Sequence, residues 1–176
     1  MTTSVSGVDV ISATRFTADV TATVWRSTSD LTLAFEYVFT NTSGPSTSQD
    51  AIKRLTTTGF AGFVTDVYHL DTPSDVEPTF ISRSSGTGDV IGFDFTPATT
   101  ISTPGGPVTF GEGEVAVGQT SARLFIFTNA TNYKDGSLSL IDGATADAEA
   151  FAPIPEPASL SVLALAVGGL VRRSRR

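Results

Sequence analysis

RFTADVTATVW at residues 15–25 and LTLAFEYVFT at residues 31–40 decide the fold. In the first stretch Phe16, Ala18, Val20, Ala22 and Val24 recur at every second position, with polar residues between them. In the second, Leu31, Leu33, Phe35, Tyr37 and Phe39 do the same. Successive side chains of a strand point to opposite faces, so a period of two marks a strand with one buried face. Ser27 to Asp30 between them is polar turn material, so the two stretches are predicted to pair as a hairpin. Trp25 falls on the face opposite Val24, which permits its exposure.

The pattern continues outward from this hairpin. Upstream, Val8, Val10 and Ser12 alternate with polar residues as a first strand. Downstream, strands are predicted over 51–57, 64–70, 80–83, 90–95, 108–117, 123–128, 137–141 and 145–151. The run RLFIFT at 123–128 is nearly all apolar, which predicts a central strand covered on both faces. Gly59-Phe60-Ala61-Gly62-Phe63 suggests a bulge or a corner, and Asp142-Gly143 is a hairpin turn signal. Residues 41–50, 71–78 and 96–107 read as loops, the last because it holds three prolines and two adjacent glycines. No helical period longer than two turns appears before residue 153. The expected fold is therefore all-β: a single antiparallel β-sandwich over residues 1–152, of jelly-roll or immunoglobulin-like order.

Composition agrees with that class. Charged residues make up only 16% of the 176-residue chain, while Ser and Thr are abundant, which suits strands better than helices. The chain has no cysteine, so neither disulfides nor thiolate chemistry enter. Of 11 basic and 18 acidic residues, four Arg and one Glu lie beyond residue 152, which leaves the body with 7 basic, 17 acidic and a net charge of −10. Such a body is not expected to bind nucleic acid or an anionic membrane.

The last residues differ in kind. Pro153 to Pro157 is a proline-rich linker containing Pro155-Glu156-Pro157, where two fixed φ angles and two missing N–H donors stop any helix. Residues 158–171 then form an uncharged run, ASLSVLALAVGGLV, in which Leu160, Leu163, Leu165, Val167, Leu170 and Val171 carry the hydrophobicity. As a helix it would span roughly 21 Å, short of a bilayer core. Arg172, Arg173, Arg175 and Arg176 follow within residues 172–176. Their long stems can snorkel, and a cationic end marks the cytoplasmic side of a membrane segment. The plainer alternative is a core helix with a solvated basic end.

These three parts, in this order at the C-terminal end, resemble the PEP-CTERM sorting signal of secreted bacterial proteins. The resemblance implies an inner-membrane precursor held by a short transmembrane helix. It implies recognition of Pro155, Glu156 and Pro157 by an exosortase, a membrane-embedded cysteine protease or transpeptidase, and release to the cell surface or extracellular matrix. It also implies an N-terminal export signal, yet residues 1–6 have neither a basic nor an apolar segment, so the true start is expected upstream. LFIFTNATNY at 124–133, followed by Ile141-Asp142-Gly143, is loosely similar to a pattern found before this signal in other members. The role implied for the body is structural or adhesive, in exopolysaccharide or biofilm.

Candidate chemistry in the body is sparse. His69, the only histidine, sits between Asp66 and Asp71, but one histidine without cysteine does not build a usual zinc site. It reads as a partly exposed strand-end residue. Asp71, Asp75 and Glu77 could offer oxygens to calcium but lack the pattern of a calcium loop. Glu112 and Glu114 share one face of a predicted strand, a spacing unlike the facing carboxylates of a glycosidase. No nucleophile elbow, P-loop or dinucleotide fingerprint is present. Neither a catalytic residue nor a cofactor or metal is therefore expected, and a secreted hydrolase ranks last. Trp25, Tyr37, Tyr68 and Tyr133 could instead form a platform for an extracellular polysaccharide, the basis of a carbohydrate-binding alternative; core or edge packing is the plainer role for each. Asn41-Thr42-Ser43 and Asn129-Ala130-Thr131 match the glycosylation acceptor pattern.

Overall fold

The structure is a computed structural model that describes residues 2–8, 14–44, 50–70, 72–86, 88–97, 99–110 and 113–154. Every regular element among them is a strand: β1 (Thr2–Val8), β2 (Thr14–Arg26), β3 (Leu33–Asn41), β4 (Arg54–Thr57), β5 (Thr65–Leu70), β6 (Phe80–Arg83), β7 (Ile91–Asp94), β8 (Thr99–Thr103), β9 (Gly106–Phe110), β10 (Arg123–Thr128), β11 (Tyr133–Ile141) and β12 (Thr145–Pro153). All strand pairs are antiparallel.

The expected hairpin is present. β2 and β3 pair over nine positions, from Ala18↔Asn41 to Arg26↔Leu33. Phe16, Ala18, Val20 and Ala22 of β2 and Leu33, Phe35, Tyr37 and Phe39 of β3 are buried. Leu31 departs from the expected apolar row. It lies in the turn at a positive φ of 62°, with its side chain 56% exposed. The turn needs a left-handed residue to reverse the chain in step with strand twist, and Leu31 takes that conformation. Ser27 N–H donates to Thr32 O across it, and Thr32 N–H and Oγ1 both donate to Asp30.

Ten strands form one sheet in the order β5-β10-β3-β2-β1-β12-β11-β4-β7-β6. Among the described residues β1 meets β12 at the register pair Val8↔Thr145. Residues of β2, β3 and β10 share one core with those of β4, β7, β11 and β12, a layering consistent with a sandwich. Phe16, Phe35 and Tyr37 share the core with the alternating Ala146, Ala148 and Ala150 of β12. Tyr37 Oη donates to Phe151 O across the layers at 2.9 Å, so this fully buried hydroxyl has its partner. Edge-to-face ring pairs, Phe35 on Phe60 and Phe39 on Phe95, join β3 to the loops after β4 and β7.

Several expectations are corrected. The region 96–107 is not a loop throughout: β8 and β9 form a separate two-stranded ribbon, with Gly106 at its turn. Pro104, Gly105, Gly106 and Pro107 cluster at its tip, while Thr100 pairs with Thr109 and Ile101 with Val108 across the strands. β10 is interior in the ladder but covered on one face only, since Phe127 is 46% exposed. β11 starts at Tyr133, earlier than Ser137, and β12 runs to Pro153, so the last strand includes the first linker residue. Glu114 sits in a bend rather than on a strand face. Within the proposed first strand, Val10 and Ser12 lie outside the described residues, as do Asp71 and Glu112.

A candidate binding face on one side of the sheet

The outward side chains of β2, β3, β10 and β5 stand in cross-strand rows fixed by register. One row runs Trp25, Ala34, Phe127, Asp66. The next runs Thr23, Glu36, Phe125, Tyr68. Trp25, Phe127 and Tyr68 are each about half exposed, at 50%, 46% and 55%. Phe125 and Phe127 stack at 6.1 Å between ring centroids. Large aromatics on the solvent side of three of these four strands are not what a merely solvated face requires, since threonines would serve as well.

Glu36 sits among these rings. It is only 6% exposed, although its strand position points outward. Trp25 Nε1 donates to one carboxylate oxygen and Arg123 Nε to the other, both at 2.5 Å. The Arg123 guanidinium also lies 5.2 Å from the Phe125 ring centroid, a cation–π distance. Burial pushes the Glu36 pKa up, but the hydrogen bonds from Arg123 and Trp25, with the Arg123 charge, hold it below the ordinary glutamate value. The carboxylate is thus ionised at neutral pH with both oxygens occupied. It is placed to orient an indole and a guanidinium rather than to move a proton. Among the described residues the hydrogen bond of Arg123 runs from Nε to Glu36, and its side chain is 41% exposed. A cleft of about 250 Å³ opens beside Trp25 and Phe127, over Ala34 and the backbone of the β2–β3 turn.

The opposite outward face differs. Asp147, Glu149, Asp135, Ser137, Ser139, Thr56 and Asp94 line it, with Arg54 paired to Asp94 at 2.6 Å. Tyr133 is exposed there and meets Phe151 edge to face. Of the four proposed sugar-stacking aromatics, the structure therefore brings Trp25 and Tyr68 together and puts Tyr133 on the other layer. Tyr37 is fully buried and is removed from that set. Glu36, Arg123, Phe125 and Phe127 escaped the sequence reading as site residues.

The remaining candidates do not converge. His69 lies 3.7 Å from Glu77, while Asp66 points to the other side of β5 and accepts from Val67 N–H. Asp75 accepts from Thr72 N–H, which closes its own loop. Glu114 approaches Lys53 at 3.9 Å, and Lys53 is held more closely by Asp142 at 2.6 Å. No group of three or more His, Cys, Asp or Glu able to hold a metal occurs among the described residues. A larger depression of about 350 Å³ lies among the turns at Gly62, Gly86 and Gly88, but Arg83 beside it is committed to the carbonyls of Gly88, Phe60 and Phe63. Asn41 is fully buried and donates to Asp50 O and Val115 O, so it is no glycosylation acceptor in the folded chain; Asn129 is exposed and accepts from Val64 N–H.

Pro155, Glu156 and Pro157, the apolar residues of 158–171 and the terminal arginines all lie outside the described residues. No helix among the described residues is long and apolar enough to cross a membrane. The chain matches no protein-family model, and neither a curated protein nor a solved structure is similar to it.

Proposed function

We propose that this chain is an exported, non-enzymatic β-sandwich protein of the cell surface or extracellular matrix, delivered by its C-terminal tail. The tripartite tail carries the reading: Pro155-Glu156-Pro157, the uncharged run 158–171 and four terminal arginines. Its partners are an exosortase-like membrane protease and, before cleavage, the inner membrane through a short transmembrane helix. The placement of the body's last hydrogen bonds supports it. β12 ends at Pro153 and Ile154 N–H donates to Asn132 O, one residue before the motif. Cutting at the motif therefore leaves every described strand and this hydrogen bond in place. The role of the released body is structural or adhesive.

Intact mass and the C-terminal peptide of the protein isolated from its native cells test this. A C-terminus near Pro155-Glu156-Pro157 with the arginines gone is the expected result, and Glu156→Ala is expected to leave the precursor in the membrane. An intact Arg176 on protein in the soluble cytoplasm overturns the sorting reading. A carbohydrate-binding module is the second reading, favoured by the half-exposed Trp25, Tyr68 and Phe127 on one face.

A further inference from the structure

We infer that the outward face of β2, β3, β10 and β5 is a platform for a neutral, extended β-linked polysaccharide, with Trp25, Phe127 and Tyr68 as stacking rings and Arg123 as the donor to sugar hydroxyls. The inference rests on the adhesive reading above and names what the body adheres to. Three features of the face lead to this ligand class.

The first is the alternation of rings and polar groups. A pyranose has apolar C–H faces and a hydroxyl rim, so it matches rings separated by hydrogen-bonding groups. Here Glu36, Arg123, Thr23 and Asp66 interrupt the aromatic surface.

The second is spacing. Trp25 and Phe127 occupy one cross-strand row, two strands apart, which places their backbones roughly 9.6 Å from each other. That is the scale of two sugar residues in an extended chain lying across the strands. A β-linked ribbon, flat on both sides, can rest on both rings at once; Asp66 closes that row on β5, and Tyr68 stands one row over, beside Phe125, as a flanking ring.

The third is preorganisation. A nine-tenths buried carboxylate fixes both the indole and the guanidinium, so little side-chain freedom is left to lose on binding. Glu36 and Arg123 neutralise each other, and the body carries a net charge of −10, so a polyanion is repelled and an uncharged chain is not.

The test uses the purified full chain. Emission from Trp25, the single tryptophan, is followed on titration with cellohexaose and soluble neutral β-glucans. Depletion by insoluble cellulose and chitin is measured in parallel, with alginate as the anionic comparator. A saturable change with at least one neutral β-glycan is expected. Trp25→Ala, Phe127→Ala and Tyr68→Ala, each checked for a native circular dichroism spectrum, are expected to lower retention at least tenfold for the first two. Tyr133→Ala, on the other layer, is expected to keep it within twofold. Retention by no neutral polymer overturns the inference, as does binding to alginate alone or wild-type retention by Phe127→Ala. Self-association that Trp25→Ala abolishes, without glycan binding, assigns the face to a second copy and also overturns it. Because this is read in vitro and tail processing is read in native cells, failure of one leaves the other standing.

Discussion

Replacing Glu36 with glutamine tests whether the outer face is held by one buried charge. The amide keeps the shape of the carboxylate but turns one acceptor into a donor, so either Trp25 Nε1 or Arg123 Nε must face an N–H group. Hydrogen bonds to charged groups contribute about 1.5–3 kcal/mol each. Arg123 and Trp25 are 41% and 50% exposed, so water and screening replace part of what is lost. The expected cost at pH 7 is about 2 kcal/mol, which for a body of this size lowers the Tm by roughly 4–8 °C. The pH dependence follows from the sign of the shift. A glutamate whose folded pKa is depressed adds stability that is complete above its unfolded pKa of about 4.3 and is lost as pH falls through the lower folded value. Other carboxylates titrate in both proteins alike, so the gap between wild type and Glu36→Gln isolates this group. Urea unfolding at pH 7, 5, 4 and 3, followed by Trp25 emission and circular dichroism, is expected to show a gap that is full at pH 7 and closes toward pH 3. A gap of equal size at every pH, or none at pH 7, would refute the argument.

Two further outcomes concern the core. Gly7 pairs across the strands with Phe16, and a Cβ there would lie 2.6 and 2.8 Å from Cζ and Cδ1 of that buried ring. Gly7→Ala is therefore expected to destabilise by about 1–3 kcal/mol through overpacking; Gly7→Ala with Phe16→Leu should cost less than the sum of the single changes, measured by urea unfolding in a double-mutant cycle. Asn41 is fully buried, donates to two carbonyls and accepts from Ser43 N–H, so Asn41→Ala should cost about 3 kcal/mol by leaving buried groups unpaired, read as a lower urea midpoint.

The strands were legible wherever one face alone was apolar. Residues 15–25 and 31–40 alternate cleanly, and their inward residues pack as the period requires. Phe80 to Arg83 was readable even at four residues because loop-forming segments bound it. The candidate face was half legible. Trp25 opposes Val24, so its outward position follows from parity alone. Tyr68 was named, but its place beside Phe125 depends on the β5–β10 register, which no local pattern states. In RLFIFT both faces are apolar, so the same run fits a strand covered on both sides and a strand that displays Phe125 and Phe127. Glu36 reads as an ordinary solvated carboxylate in its strand. Only the neighbouring strands, bringing Trp25 from one side and Arg123 from the other, bury it.

The nine register pairs between β11 and β12 set how the body would bear load. A chain tethered beyond Pro153 is pulled from one end of β12, along the axis of a strand interior to the sheet. Tension in that direction slides β12 past β11 and strains their ladder in shear, so the bonds resist together instead of opening one by one as in a peeled hairpin. The aromatic face lies on the other layer, so force between a held polymer and the tether crosses the Phe16–Tyr37–alanine core.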